Sequence, residues 1–293
     1  MRPGRMGRLP SRRVFLLGGL GVVAATGAGV LTDVLPGGAR ARDLLGLTGP
    51  DGEVPDVPAG PVEEARVRSA ARGRDVDLVV MRPAGAKAEL PVCLALHGRG
   101  AGAKSFLDMG VPRFLTAAVR AGVPPFAVAA VDCGSSYFVS RDGKDDPLRM
   151  LVEELPVWLA ERELPSPTGA FGISMGSFGV LRLARDRRDL RAVAVIGPAL
   201  FRSWAEAEGR DAFHDERQWA ANEPLRHTRD IAGVPLGVWC GNDDPFVDSA
   251  RELVDRTHPE VAAIGPGTHE NTYFLRVMPD VIRFIGDRIG QSA

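Results

Sequence analysis

From Val62 to Arg82 the pattern of apolar and polar residues is extended, through Ala65-Arg66-Val67-Arg68 and Val76-Asp77-Leu78-Val79-Val80. A polar turn, Arg72-Gly73-Arg74, divides the stretch, which predicts an antiparallel hairpin opening a domain. Beyond it the pattern changes. Short unbroken apolar runs at 91–96, 126–131, 168–171, 192–196, 236–240 and 261–264 read as strands buried on both faces. Helical periodicities fill the gaps, at 111–121, 147–161, 177–185 and 247–256. In the second of these Leu148, Leu151, Val152, Leu155, Trp158 and Leu159 share one face. A C-terminal helix carries Phe274, Val277, Val281, Ile285 and Ile289 at the same spacing. Strands alternating with helices predict an α/β fold, a mostly parallel, doubly wound sheet with helices on both faces. Residues 198–231 are too long for an ordinary connection and predict an insertion with short helices near 202–208 and 215–221.

Residues 1–41 lie outside that pattern. Arg2, Arg5 and Arg8 give a basic start, and Ser11-Arg12-Arg13-Val14-Phe15-Leu16 is a twin-arginine export signature. An uncharged run rich in Gly and Ala follows, from Val14 to Leu31. As a helix it would measure roughly 27 Å, borderline for a bilayer. Ala39-Arg40-Ala41 offers a small-x-small cleavage site. The expectation is export of a folded protein by the twin-arginine translocation machinery, into the envelope or medium. Membrane association through an uncleaved N-terminal segment is the alternative. Residues 42–61 read as a linker, because 50–61 is rich in Pro, Gly and acidic residues without a period. That leaves 62–293, long enough for one sizeable core.

Composition narrows the function. A net charge of −1 gives no reason to expect a nucleic-acid partner. The three cysteines, Cys93, Cys133 and Cys240, sit in or beside apolar strands and read as buried thiols, with one disulfide, of no pair the spacing selects, as the alternative outside the cytoplasm. Their spacing fits no zinc motif.

Ligands bind at the carboxyl ends of strands in such sheets. Phe171-Gly172-Ile173-Ser174-Met175-Gly176 follows one strand and opens a helix, and it contains Gly-x-Ser-x-Gly. That pentapeptide lifts a serine onto a sharp turn, and the N–H of the next residue, Met175, then faces a developing oxyanion. A serine hydroxyl needs a base. Gly265-Pro266-Gly267-Thr268-His269 places a loop histidine just before the last helix. Between the two, Gly241-Asn242-Asp243-Asp244 supplies an acid, Asp243 or Asp244, although either carboxylate could instead precede the helix as a cap. Serine, acid and histidine in that chain order suit a nucleophile, an orienting carboxylate and a general base.

The first strand after the hairpin ends in His97-Gly98-Arg99-Gly100, which resembles the oxyanion loop of α/β-hydrolases. Taken with Gly172-Ile173-Ser174-Met175-Gly176, Asp244, and His269 before Tyr273-Phe274, the domain resembles the α/β-hydrolase superfamily, most nearly its esterase D and mycolyltransferase group. Ser177 departs from that pattern, where many members have a second glycine. The resemblance implies Ser174, Asp244 and His269 as the catalytic triad, with Asp243 as fallback acid. It implies Met175 and either Arg99 or Gly100 as oxyanion donors. His97 is expected to hold its loop or to line the substrate site. Tyr137 and Phe138, in a long loop, and Trp204, in the insertion, are expected near the pocket. The implied activity is hydrolysis of a small-molecule or lipid ester, or acyl transfer to a sugar or lipid alcohol, with no metal or cofactor. A non-catalytic binding protein on the same scaffold is the remaining alternative.

Overall fold

The computed structural model describes residues 46–86, 89–140 and 143–290. The twin-arginine motif, the run 14–31 and the cleavage site lie outside these residues. Residues 46–49 belong to a separate N-terminal unit, in which 46–48 form a turn, and the folded domain begins at Pro50. Among the described residues no helix is long and apolar enough to cross a membrane.

The expected hairpin is present: β1 (Val62–Ser69) and β2 (Arg74–Met81) pair antiparallel with Ala65 opposite Leu78. On the outer strand Arg66 and Arg68 meet Asp77 and Asp75 across the pair, so the sheet edge is charged. Five further strands are parallel to one another: β3 (Val92–Leu96), β4 (Ala127–Val131), β5 (Gly169–Ile173), β6 (Ala192–Ile196) and β7 (Leu236–Gly241). With β8 (Val261–Gly265) at the far edge, the eight-stranded order is β1-β2-β4-β3-β5-β6-β7-β8. All residues of β3 to β7 are buried, as uninterrupted apolar runs require when both faces are covered.

The pleat divides these strands between two cores. Leu94, Leu96, Val193 and Val195 face one side, where they meet Leu155, Phe178, Leu181 and Leu253. Cys93, Ala95, Phe171 and Ala194 face the other, against Phe114, Leu115, Val281 and Ile285. The first layer belongs to α3 (residues 147–160), α4 (Met175–Asp186) and α7 (Val247–Thr257), the second to α2 (Val111–Arg120) and α8 (Asn271–Ile289). Helix α3 runs through Pro147–Arg149, a π-helical stretch Met150–Glu154, and Leu155–Ala160. Pro156 accounts for the widened turn, since its ring has no N–H and crowds the carbonyl four residues back. All three cysteines are buried and unpaired.

Two elements lie outside the expected set. Helix α1 (Ser105–Asp108) is four residues long, too short to show a period. In the insertion, α5 (Trp204–Glu208) and α6 (Glu216–Asn222) match expectation, each opened by a side-chain cap, Ser203 and Asp215. A 3-10 stretch, Pro224–Ile231, follows them, buries Pro224, Leu225 and Ile231, and is kinked at His227, whose backbone is not helical.

Candidate active site

The chain turns sharply at Ser174, which joins β5 to α4 with φ 55° and ψ −118°. A non-glycine residue there is strained, and neighbours must hold it. Ser174 N–H donates to Ile196 O at 2.9 Å, and Ser174 O accepts from Ser177 N at 3.0 Å. Two glycines make room. A Cβ on Gly172 would run into the Gly176 backbone, and one on Gly176 into Leu96 O. The departing residue, Ser177, is fully buried and acts as a pin: its Oγ donates to Gly172 O at 2.7 Å and accepts from Ile196 N at 3.1 Å.

Ser174 Oγ lies 2.9 Å from His269 Nε2, and His269 Nδ1 lies 2.6 Å from Asp244 Oδ2. The Asp244 side chain is wholly buried, and its other oxygen accepts from Phe246 N at 2.8 Å. A carboxylate removed from water requires such partners. They fix the histidine as well, since Nδ1–H donates to Asp244 and Nε2 is free to accept from the serine hydroxyl. Of the two adjacent acids, Asp244 makes this contact, while the Asp243 backbone N–H is held by Gly267 O at 2.8 Å. The His269 ring is flanked by Phe274 and Phe246, each with its centroid 5.3 Å away.

Gly197, which the sequence did not single out, closes this arrangement. Its φ is +52°, and a Cβ there would sit 2.8 Å from Asp244 Oδ2 and 3.0 Å from His269 Nδ1. The available signal was a glycine at the end of a buried strand, one of many in the chain.

The loop after β3 runs past the serine. His97 is buried; its Nε2 accepts from Cys133 N at 3.0 Å, which leaves Nδ1–H to donate to Gly98 O at 2.8 Å. Burial lowers its pKa, and the neutral ring suits both bonds. His97 therefore ties the loop to the end of β4. Asp132 adds a second tie by accepting from Ala103 N at 2.6 Å. Gly100 N–H is turned to Ser135 Oγ at 3.3 Å, whereas Arg99 borders the cleft beside Ser174.

That cleft, about 390 Å³, has Phe106, Met109, Ile173, Phe274 and Leu275 as its apolar lining. Arg99, Asp108 and Asn271 add polar groups, and Ser174, His269 and His97 also line it. The three expected pocket aromatics are elsewhere. Tyr137 and Phe138 both have left-handed backbones, φ 54° and 60°, and turn inward. Phe138 lies on α4 where Gly179 has no side chain, and Tyr137 packs with Phe178, Phe201 and Phe213. Trp204 packs on Trp219, so the insertion is tied down by its aromatic residues. Among the described residues no group of three or more His, Cys, Asp and Glu side chains is placed to hold a metal ion.

The fold is the α/β-hydrolase fold, shared by the similar solved structures. A ferulic acid esterase aligns with a TM-score of 0.67 at 18% identity, over 77% of this chain and 98% of its own. The S-formylglutathione hydrolase of Agrobacterium tumefaciens aligns at 0.64 and 16%, over 79% of this chain and 96% of its own. A fluorophosphonate-binding serine hydrolase of Staphylococcus aureus gives 0.61 and 16%, over 77% and 98%. No protein-family model matches the chain, and no curated protein matches it by sequence.

Proposed function

We propose that the protein is an exported serine hydrolase that cleaves carboxylic esters through Ser174, His269 and Asp244. The carrying observation is the continuous hydrogen-bond chain from Ser174 Oγ through His269 to a wholly buried Asp244. His269 takes the Ser174 proton as Oγ attacks the ester carbonyl, and Asp244 stabilises the imidazolium that forms. The N–H groups of Met175 and Arg99 meet the oxyanion, Gly100 being committed to Ser135. His269 then protonates the departing alcohol, and water, activated by the same histidine, releases the acid from Ser174. The apolar cleft beside Ser174 receives the acyl group. None of these steps requires a cofactor. The names of the similar structures, two of them an esterase and a hydrolase, favour the same chemistry. Export rests on Ser11-Arg12-Arg13-Val14-Phe15-Leu16 and the uncharged run after it.

The test is hydrolysis of p-nitrophenyl esters of graded chain length by wild type and Ser174→Ala, alongside labelling by a fluorophosphonate. Wild type is expected to turn over and be labelled, and the variant to fall to background, a loss on the order of 10⁴–10⁶-fold. A wild type that is inert on every ester and unlabelled would refute esterase chemistry. Adding sugar or lipid alcohols to the assay separates hydrolysis from acyl transfer, which would give a new ester in place of the free acid.

A further inference from the structure

Residues 50–61 form neither helix nor strand, yet they lie fastened to the domain as a strap. One anchor is the start of α8. Gly52 N–H donates to Thr272 O at 2.9 Å, and Arg276 Nη1 donates to Pro50 O at 2.7 Å. Gly52 approaches the helix so closely that a Cβ there would stand 2.0 Å from Arg276 N. The other anchor is the junction of α1 and α2. Gly110, left-handed at φ 74°, turns the chain from one helix into the other, and Val54 covers it. A Cβ on Gly110 would meet Val54 Cγ1 at 2.4 Å. Gly52 and Val54 are two residues apart, at most about 7 Å of extended chain, so the strap crosses directly between the two anchors.

The same two elements wall the cleft beside Ser174. Phe106 and Met109 belong to the α1 side, Phe274 and Leu275 to α8. Each anchor adjoins a lining residue, since Gly110 follows Met109 and Arg276 follows Leu275. No strap residue lines the cleft itself. Helix α1 needs outside support, because a single turn of four residues without a side-chain cap does not hold its place alone. Phe106 fixes its buried face to the sheet by an edge contact with Phe171, the centroids 5.5 Å apart. The strap bears on its other end, beside Met109.

We infer that Gly52 and Val54 are positioning residues for acyl selection. The strap clamps the Met109 end of α1 to the first turns of α8, fixes the width of the cleft between them, and so restricts the ester to a compact acyl group. This rests on the esterase function proposed above, with the cleft receiving the acyl chain. At about 390 Å³ the cleft lies at the small end of the roughly 300–1,000 Å³ that small-molecule sites span. Releasing the clamp lets the wall at Met109 move away from Leu275 and admits a longer chain.

The test measures kcat/KM on p-nitrophenyl acetate, butyrate, octanoate and decanoate for wild type, Gly52→Ala and Val54→Ala. The first variant forces the strap off α8, and the second removes the side chain that covers Gly110. The quantity read is the decanoate-to-acetate ratio, so each variant is its own reference. Wild type should give a ratio below one. Both variants should raise it by about 10-fold, the worth of roughly two further methylenes taken out of water. The rise should come through KM on decanoate, with kcat on acetate within about 2-fold of wild type. Asp56→Asn is the control. Its carboxylate meets Arg113 only at 4.0 Å on the surface, and an exposed pair of that kind holds little. If Gly52→Ala does not fold, Val54→Ala decides alone, since Val54 is an exposed residue. A wild-type ratio above one, an unchanged ratio in Val54→Ala, or an equal rise in Asp56→Asn would overturn the inference. A strap with only a structural role would lower turnover of all four esters together and leave the ratio where it was. Failure of esterase function itself reads differently: wild type turns over none of the esters and is not labelled by a fluorophosphonate.

Discussion

Replacing Ser177 with alanine is the sharpest test of how the serine turn is held. The Ser177 hydroxyl is fully buried, donates to Gly172 O at 2.7 Å and accepts from Ile196 N at 3.1 Å. Alanine fits the space, and the Ile196 N–H keeps its ladder partner Gly172 O, since Ile173 pairs with Ile196 in the parallel sheet. The cost is that of the hydroxyl's own hydrogen bonds, about 1 kcal/mol each, for a total near 1–2 kcal/mol. In a domain of this size that lowers Tm by roughly 2–8 °C. Urea unfolding should show a lower midpoint at an unchanged slope, since the surface exposed on unfolding stays the same. Ser177→Gly should be weaker still by about 1 kcal/mol, because the position lies inside α4. Ester turnover should fall as well, for the two residues Ser177 pins, Gly172 and Ile196, also set the Ser174 backbone. An alanine variant within about 0.5 kcal/mol of wild type would refute this account of the turn.

Gly197→Ala brings a β-carbon to 2.8 Å from Asp244 Oδ2 and 3.0 Å from His269 Nδ1 at a left-handed backbone. It should lower kcat on the order of 10²-fold, with KM on neutral esters little changed; a full-rate variant would show that the Asp–His pair tolerates displacement. Glu223 is a buried acid whose pKa burial raises from 4.5 to about 8. A pKa raised in the fold means that the folded state holds the proton more tightly. The stability this contributes is therefore complete below pH 4.5 and is lost as pH rises through 8. Urea midpoints across that range should decline more steeply for wild type than for Glu223→Gln, and parallel profiles would count against it.

The sheet was legible because its strands are covered on both faces, so burial erased alternation and left runs such as Ala192–Ile196 with clear ends. The serine turn was legible for a related reason. A helix start packed that close to β3 and β5 admits no side chain at Gly176 or Gly172, and such a requirement is written in the chain itself. What surrounds His269 depends instead on where distant loops arrive. Phe246, Arg210, whose guanidinium lies over the Phe246 ring, and Gly197 come from three segments, and nothing local to any of them points to the histidine. Tyr137 and Phe138 misled because a long aromatic loop at a strand end resembles a pocket wall. Their left-handed backbones and the bare helix surface at Gly179 send them into the core. The two aspartates show the limit most plainly. As neighbours they are equivalent in composition, and only backbone pairing separates them. Asn242 N–H is fixed to Gly265 O at 2.7 Å and Asp243 N–H to Gly267 O at 2.8 Å. Those bonds fasten the chain to the loop that carries His269 before it turns, so Asp244, one residue on, is the acid aimed at the ring.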